Sequence, residues 1–157
     1  MTSIGRVLAY DFAIVGDDKP VALIDRPELA DVFAEPDPAK QLAMFAALVV
    51  AIDHRISAIW RALEGAAASD PEAGRLYVAM VRQRRGSHAE AAQLFADAGA
   101  LRPDVDASTA VDLRWLYNDP SLCDKLVRQR GWSVARFQAW LTEALQMQLL
   151  GKAPGVG

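Results

Sequence analysis

The sequence predicts an all-α helical bundle, and three observations favour that class. Alanine and leucine, two strong helix formers, fill 29 and 17 of the 157 positions. Apolar residues recur at intervals of three and four, the spacing that keeps side chains on one face of a helix. The chain shows no apolar–polar alternation typical of a strand, and glycine and proline fall mostly between the apolar runs. These breaks divide the chain into roughly six to seven helices.

Two short helices are predicted ahead of the core. The first covers residues 2–15 and stops at Gly16, a residue that commonly ends helices. The second opens at Pro27 and runs to Ala34, after which residues 35–38 contain two prolines that break the chain again.

A long central helix is predicted from Pro38 to about Glu64. Asp37 before Pro38 combines an N-cap with a first-turn proline, which is a strong start signal. One face of this helix is apolar at intervals of three and four, and comprises Leu42, Phe45, Val49, Ile52, Ile56, Ile59 and Leu63. The opposite face is rich in alanine, so we expect other helices to surround most of its length.

A second long helix is predicted from Asp70 to Ala98, where Gly99 ends it. Gly86 lies inside this helix, at a cost of about 1 kcal/mol relative to alanine, which favours a kink or close packing there. Three further helical segments follow over residues 108–117, 120–130 and 133–150.

Composition excludes several classes of function. The net charge is −3 and no segment has the basic excess that a phosphate backbone requires, so this chain is not expected to bind nucleic acid itself. A single cysteine, Cys123, excludes an internal disulfide and fits a reducing cytosol. The longest uncharged run, residues 41–52, is 12 residues long and too short to cross a bilayer. We therefore expect a soluble cytoplasmic protein with no membrane association and no targeting signal.

No residues are arranged as a catalytic or metal site. His54 and His88 are not spaced to place two ligands on one helical face, and His54, on the alanine-rich face, is expected to be structural. Cys123 has apolar sequence neighbours typical of a core cysteine rather than a nucleophile. No nucleophile elbow or phosphate-binding glycine loop is present. We expect no metal, no cofactor and no enzymatic activity.

The second long helix carries an unusual stripe that predicts a binding pocket. Arg84 and His88 share its inward face with apolar and aromatic residues, although a buried guanidinium costs several kcal/mol unless it is paired. One interpretation is a structural ion pair, with Asp53 as a candidate partner, or a groove open to water. The other is a cavity for an acidic or polar ligand within an apolar lining. The candidate ligand-binding residues are Tyr77, Met80, Val81, Arg84, His88, Phe45 and Trp60, although Trp60 also fits a plain core position.

The last helix presents an aromatic and small-residue face that predicts a dimer interface. The candidate residues are Trp115, Phe137, Trp140, Leu141, Ala144, Leu145 and Gln148. Small residues such as Ala144 allow two helices to approach closely, and aromatic residues anchor such contacts. The alternative is that this face is buried inside the monomer.

Several segments resemble the effector-binding and dimerisation domain of TetR-family transcriptional regulators. The most specific are Gly16-Asp17-Asp18 with Arg26-Pro27 following, and Arg130-Gly131-Trp132-Ser133 leading into the last helix. Residues 100–103, Trp115 and the Trp140-Leu141 pair add to the likeness, which covers residues 2–150.

The resemblance implies an intracellular homodimer with an apolar ligand pocket between its long helices, residues 1–151 forming this domain and residues 152–157 a frayed tail. Members of that family begin with a helix-turn-helix domain, and the chain starts at what resembles the helix after it, so no DNA-binding domain is expected. The alternatives are a helical interaction protein that pairs with a related regulator without a small ligand, and a helical enzyme or binding protein of unrelated role.

Overall fold

The computed structural model describes residues 27–150, and within them the chain is all-α with no strand. Its helices are α1 (Pro27–Ala34), α2 (Pro38–Ala67), α3 (Pro71–Asp97), α4 (Ala107–Tyr117), α5 (Pro120–Cys123) and α6 (Val134–Leu150), with a π-helical segment (Asp124–Gln129) following α5 directly. The all-α prediction is confirmed for this part of the chain. The helix predicted over residues 2–15, the Gly16-Asp17-Asp18 motif and the tail lie outside the described residues.

Aspartate side chains start four of these helices. Asp37 accepts a hydrogen bond from the Ala39 amide at 2.9 Å, and Asp70 accepts one from the Glu72 amide at 2.7 Å. Asp106 and Asp119 cap α4 and α5 in the same way. Each carboxylate satisfies a backbone donor that the first turn leaves without an intrahelical partner. The starts predicted from Asp37 and Asp70 are therefore confirmed.

Two glycines follow the ends of helical segments, and a third lies inside α3 without interrupting it. Gly99 and Gly131 follow α3 and the π-helical segment with φ of 62° and 71°, a conformation that disfavours any side chain. Gly86 lies within α3, which runs on as an α-helix, and a Cβ there would meet no atom within 4 Å. The close packing suggested for Gly86 is therefore absent. The helix predicted over residues 120–130 is instead an α-helical turn followed by a π-helical one.

The hydrophobic core lies where α6 packs against α2 and α4. Its fully buried members from α6 are Phe137, Leu141, Leu145 and Leu149. Leu42, Ala46 and Val50 of α2 complete the contact, and the side-chain amide of Gln146 donates to the carbonyl of Ala39 at 2.8 Å. The small Ala46 side chain allows α6 to approach α2.

The buried face of α2 is rotated relative to the predicted one. It comprises Leu42, Ala46, Val50, Asp53, Ile56, Ser57 and Trp60. Ile59, predicted inside, is 52% exposed. A helix that is apolar or small on most sides has no sequence-defined interior, so its neighbours select the face that is buried.

α2 is also long and apolar enough to cross a membrane by length and composition, with a window of mean hydropathy 1.7. Core helices of soluble proteins meet the same criteria, so this property assigns α2 to neither environment.

Candidate functional site

A cluster of polar side chains lies inside the protein where α2, α3, α4 and α5 meet. The buried polar residues are Asp53 and Ser57 of α2, His88 of α3, Arg114 of α4, Asn118 at the end of α4, and Asp124 after α5. Polar groups in a protein interior are almost always hydrogen-bonded, because an unpartnered one loses its solvation without replacement. Several atoms of this cluster have no hydrogen-bond partner among the described residues, so we consider the cluster as the candidate site.

Arg84 of α3 points inward, as predicted, but its partner is not Asp53. Its guanidinium lies 3.6 Å from the carboxylate of Asp119 and donates a hydrogen bond to the backbone carbonyl of Asn118. The same guanidinium lies over the Trp60 ring, 5.0 Å from the ring centroid. Asp119 reaches Arg84 because it caps α5 directly after α4 ends, a position that depends on the tertiary arrangement of the helices.

Asp53 is 4% exposed, and its Oδ2 has no hydrogen-bond partner among the residues that the structure describes. Burial raises the pKa of this carboxyl to about 8; the nearby Arg84 charge lowers it, and the Asp119 carboxylate raises it further. Asp53 is therefore mainly protonated at neutral pH and supplies no full negative charge to the interior.

Arg114 is 1% exposed and lies between two aromatic rings. Its guanidinium carbon is 4.2 Å from the Phe45 ring centroid and 5.6 Å from that of Phe95. Within the described part of the chain, the Nε and Nη1 atoms of Arg114 have no hydrogen-bond partner. Burial lowers the pKa of Arg114 to about 10, which still leaves it charged at neutral pH. Sequence reasoning missed this residue, because charged residues are rarely fully buried and the sequence of α4 alone gives no signal for burial here.

His88 faces the interior, as predicted, and is 8% exposed. Its ring meets Phe45 edge to face, with centroids 6.3 Å apart. Burial lowers the pKa of His88 to about 3, and the charges of Arg114 and Arg84 lower it as well. His88 is therefore a neutral imidazole at physiological pH, and it adds no positive charge to the two arginines.

The residues predicted to bind a ligand form two contacts in the structure. Trp60 and Tyr77 lie with ring centroids 5.4 Å apart, next to Arg84, and the Tyr77 hydroxyl donates to Glu64 at 3.1 Å. Phe45 and His88 form the other contact. Met80 is buried and Val81 is half-buried on α3 between these contacts.

Unpartnered buried atoms concentrate in the same region. Among the described residues, the atoms without a hydrogen bond are Asp53 Oδ2, Trp60 Nε1, Arg84 Nη1, Arg114 Nε and Nη1, and Asn118 Oδ1. A further one, Trp115 Nε1, belongs to a half-buried residue of α4. Arg84 Nη1 nevertheless forms the ion pair with Asp119 at 3.6 Å. Donors outnumber acceptors in this set, so the region is chemically complementary to a molecule that carries hydrogen-bond acceptors.

The polar residues beside α5 are better satisfied. Arg128 donates to the Ser57 hydroxyl at 3.1 Å, and Asp124 accepts from Gln129 at 2.7 Å and from Arg61 at 3.4 Å. Burial raises the pKa of the Cys123 thiol to about 11, which makes it a poor nucleophile. Within residues 27–150 no three His, Cys, Asp or Glu side chains are arranged to hold a metal. His54, expected to be structural, is exposed because α2 turns that face outward.

The predicted dimer-interface residues divide between core and partly exposed positions. Phe137, Leu141 and Leu145 have no exposed surface, because α6 buries them against α2 and α4 of the same chain. They cannot reach a partner while the chain is folded this way. Trp140 is half-buried and stacks on Phe137 with centroids 5.7 Å apart. The remaining members, Trp115, Ala144 and Gln148, are also half-buried.

The described residues thus define an all-α domain with incompletely paired charged groups in its interior. Comparisons of the chain with protein-family models, with curated proteins and with solved structures found no match.

Proposed function

We propose that this chain is the ligand-sensing and dimerisation domain of a TetR-like transcriptional regulator. It binds a small, largely apolar effector between its long helices, acts as a cytoplasmic homodimer, and neither catalyses a reaction nor contacts nucleic acid itself. The observation that carries the proposal is the set of unpartnered buried polar atoms shared by α2, α3 and α4.

Energetics support this function over a purely structural role. Each buried donor or acceptor without a partner costs about 1–3 kcal/mol relative to a paired one. A chain selected only for stability would fill these positions with apolar residues of similar volume. Polar groups with apolar neighbours are instead the usual composition of a small-molecule site, here Arg84 and Arg114 beside Trp60, Phe45 and Phe95.

The position of the cluster also suits a sensor. Its side chains come from α2, α3 and the α4–α5 junction, so one bound molecule would contact elements that are distant in sequence. A ligand shifts a conformational equilibrium only if it binds one arrangement better than the other, and contacts on several helices supply that difference.

Thermal unfolding with a panel of small aromatic and aliphatic molecules tests the sensing function. A molecule that binds only the folded state at 100 times its Kd raises the free energy of unfolding by about 2.7 kcal/mol. Trp60→Phe is expected to reduce the shift. Trp132→Phe is the matched control, because Trp132 is partly buried, precedes α6 and packs against Trp140. If no compound raises the unfolding temperature, the sensing function is wrong.

Light scattering at micromolar concentration tests the dimerisation function. A homodimer is expected, and a clean monomer would contradict it independently of ligand binding.

A second candidate is a helical interaction protein that pairs with a related regulator without a small ligand. Two observations favour it: Arg84 already has Asp119 as an ion-pair partner, and Leu116 and Ile59 are large apolar side chains exposed on the surface. This candidate predicts no ligand-dependent stabilisation in the same titration. It also predicts that Leu116→Ser weakens a protein complex while the chain stays folded.

A further inference from the structure

The charge balance around Arg114 bears on what kind of ligand this interior accepts. Two aspartates close to Arg114 in sequence pair with other arginines: Asp119 with Arg84, and Asp112 with Arg85 at the surface. Asp53, buried in the same cluster, is mainly protonated at neutral pH. Among the side chains that the structure describes, none forms an ion pair with Arg114. The Arg114 guanidinium next to Phe45 and Phe95 therefore has no ion-pair partner among these described side chains to compensate its charge.

Aromatic contacts do not complete the environment of that charge. The Phe45 and Phe95 rings cover the guanidinium by cation–π contact but accept no hydrogen bond in its plane. Nε and Nη1 of Arg114 consequently have no hydrogen-bond partner among the described side chains, although the residue is more than nine-tenths buried. A guanidinium presents its N–H groups in a fixed plane, which suits a planar oxyanion such as a carboxylate.

We infer that Arg114 binds the carboxylate of the effector, and that the molecule sensed is a monocarboxylate with an apolar body. This assignment rests on the proposed sensing function. A single negative charge matches the single uncompensated guanidinium, whereas a phosphate dianion would leave excess negative charge in an apolar interior. The apolar body would contact Phe45, Phe95 and the neutral ring of His88.

The experiment compares each acid with its uncharged amide. The probes are octanoate with octanamide and phenylacetate with phenylacetamide, titrated into the whole chain and followed by calorimetry and thermal shift. A charge-assisted hydrogen bond in the interior predicts that the better acid binds at least about 10-fold more tightly than its amide. Arg114→Met keeps the length of the side chain without its charge, and the acid-to-amide ratio is expected to fall to about 1.

Arg85→Met is the matched control, because Arg85 lies on the outer side of α3, 64% exposed, and pairs with Asp112. It is expected to leave the acid-to-amide ratio unchanged. Without ligand, Arg114→Met is expected to unfold at the same temperature as the wild type or higher, because it removes an uncompensated buried charge.

The outcomes separate the two proposals. Amides that bind as tightly as acids to the wild type overturn the role of Arg114 and leave the sensing function standing. A lower unfolding temperature of ligand-free Arg114→Met, or its failure to fold, shows that Arg114 is structural and overturns the inference as well. If neither acids nor amides bind, the inference about Arg114 is overturned, and the thermal-unfolding panel decides the sensing function separately.

Discussion

Asp53 is expected to make the folded chain less stable as the pH rises above neutrality. Its ordinary pKa is 3.8, and burial raises it to about 8 in the folded state. The folded chain therefore retains a proton that the unfolded chain releases, and stability declines as the pH rises through the interval between these values. His88 acts in the opposite sense, because burial lowers its pKa from 6.5 to about 3 and its neutral form is favoured by folding. The two contributions oppose each other between about pH 4 and 6.5, and Asp53 dominates above pH 7.

The size of the effect follows from the pKa difference. Each pH unit within the interval changes the free energy of unfolding by about 1.4 kcal/mol per proton. Between pH 7 and 8.5 the free energy of unfolding of the wild type is expected to fall by about 1 kcal/mol. The fall levels off above pH 8, because Asp53 then ionises in the folded state as well. For a chain of this size, a fall of about 1 kcal/mol lowers the unfolding temperature by about 3 °C. Asp53→Asn mimics the protonated carboxyl, so the variant is expected to unfold at a higher temperature than the wild type and to lose this decline.

Thermal unfolding followed by circular dichroism at pH 7 and 8.5, at constant ionic strength, measures both quantities. Asp112→Asn is the control, because Asp112 is 61% exposed and its removal is expected to leave the pH dependence intact. The Cys123 thiol contributes little below pH 8.5, since its ordinary pKa is 9 and burial raises it further. A wild type whose stability is constant or rises over this range, or an Asp53→Asn variant with an unchanged decline, would refute the reasoning.

Three further predictions concern stability and are measured by urea denaturation. Gly86→Ala is expected to stabilise the chain by about 1 kcal/mol, because its Cβ meets no atom, whereas Gly131→Ala is expected to destabilise it because φ is 71° there; equal effects would contradict the helix geometry. Leu145→Ala is expected to lower the free energy of unfolding by about 2–5 kcal/mol, and Met147→Ala, on the exposed side of α6, far less. Asp37→Ala is expected to cost about 1 kcal/mol by removing the N-cap of α2, and no loss would show that this cap is unimportant.

Local features of the structure could be predicted from the sequence because they depend on neighbouring residues. The aspartate–proline pairs at Asp37 and Asp70 mark the starts of the two long helices, and both aspartates cap those helices in the structure. The interval of four between Arg84 and His88 places both on one face, and both lie inside. N-caps and helical faces are fixed by spacing along one helix, so one sequence suffices for them.

Pairing between helices could not be predicted in the same way. Arg84 had Asp53 as a candidate partner, but the choice of Asp119 depends on how α3 meets the α4–α5 junction. The burial of Arg114 depends on α2 and α3 presenting Phe45 and Phe95 to the same point. Charged residues are rarely fully buried, so a wheel of α4 alone favours an exposed arginine at this position.

Arg84 links three helices, and under the proposed sensing function this contact gives an interior ligand a route to other parts of the chain. Its guanidinium, on α3, donates a hydrogen bond to the backbone carbonyl of Asn118 at the end of α4. It also pairs with Asp119, the residue that caps α5. Asp119 therefore has two roles: its side chain caps the start of α5 and compensates the charge of Arg84. A ligand that competed for Arg84 would weaken the ion pair at the point where the chain turns from α4 into α5. An Arg84–Asp53 pair would have linked only the two long helices. The Arg84–Asp119 pair instead lies at the α4–α5 junction, and a change in this pair can alter the geometry of that junction.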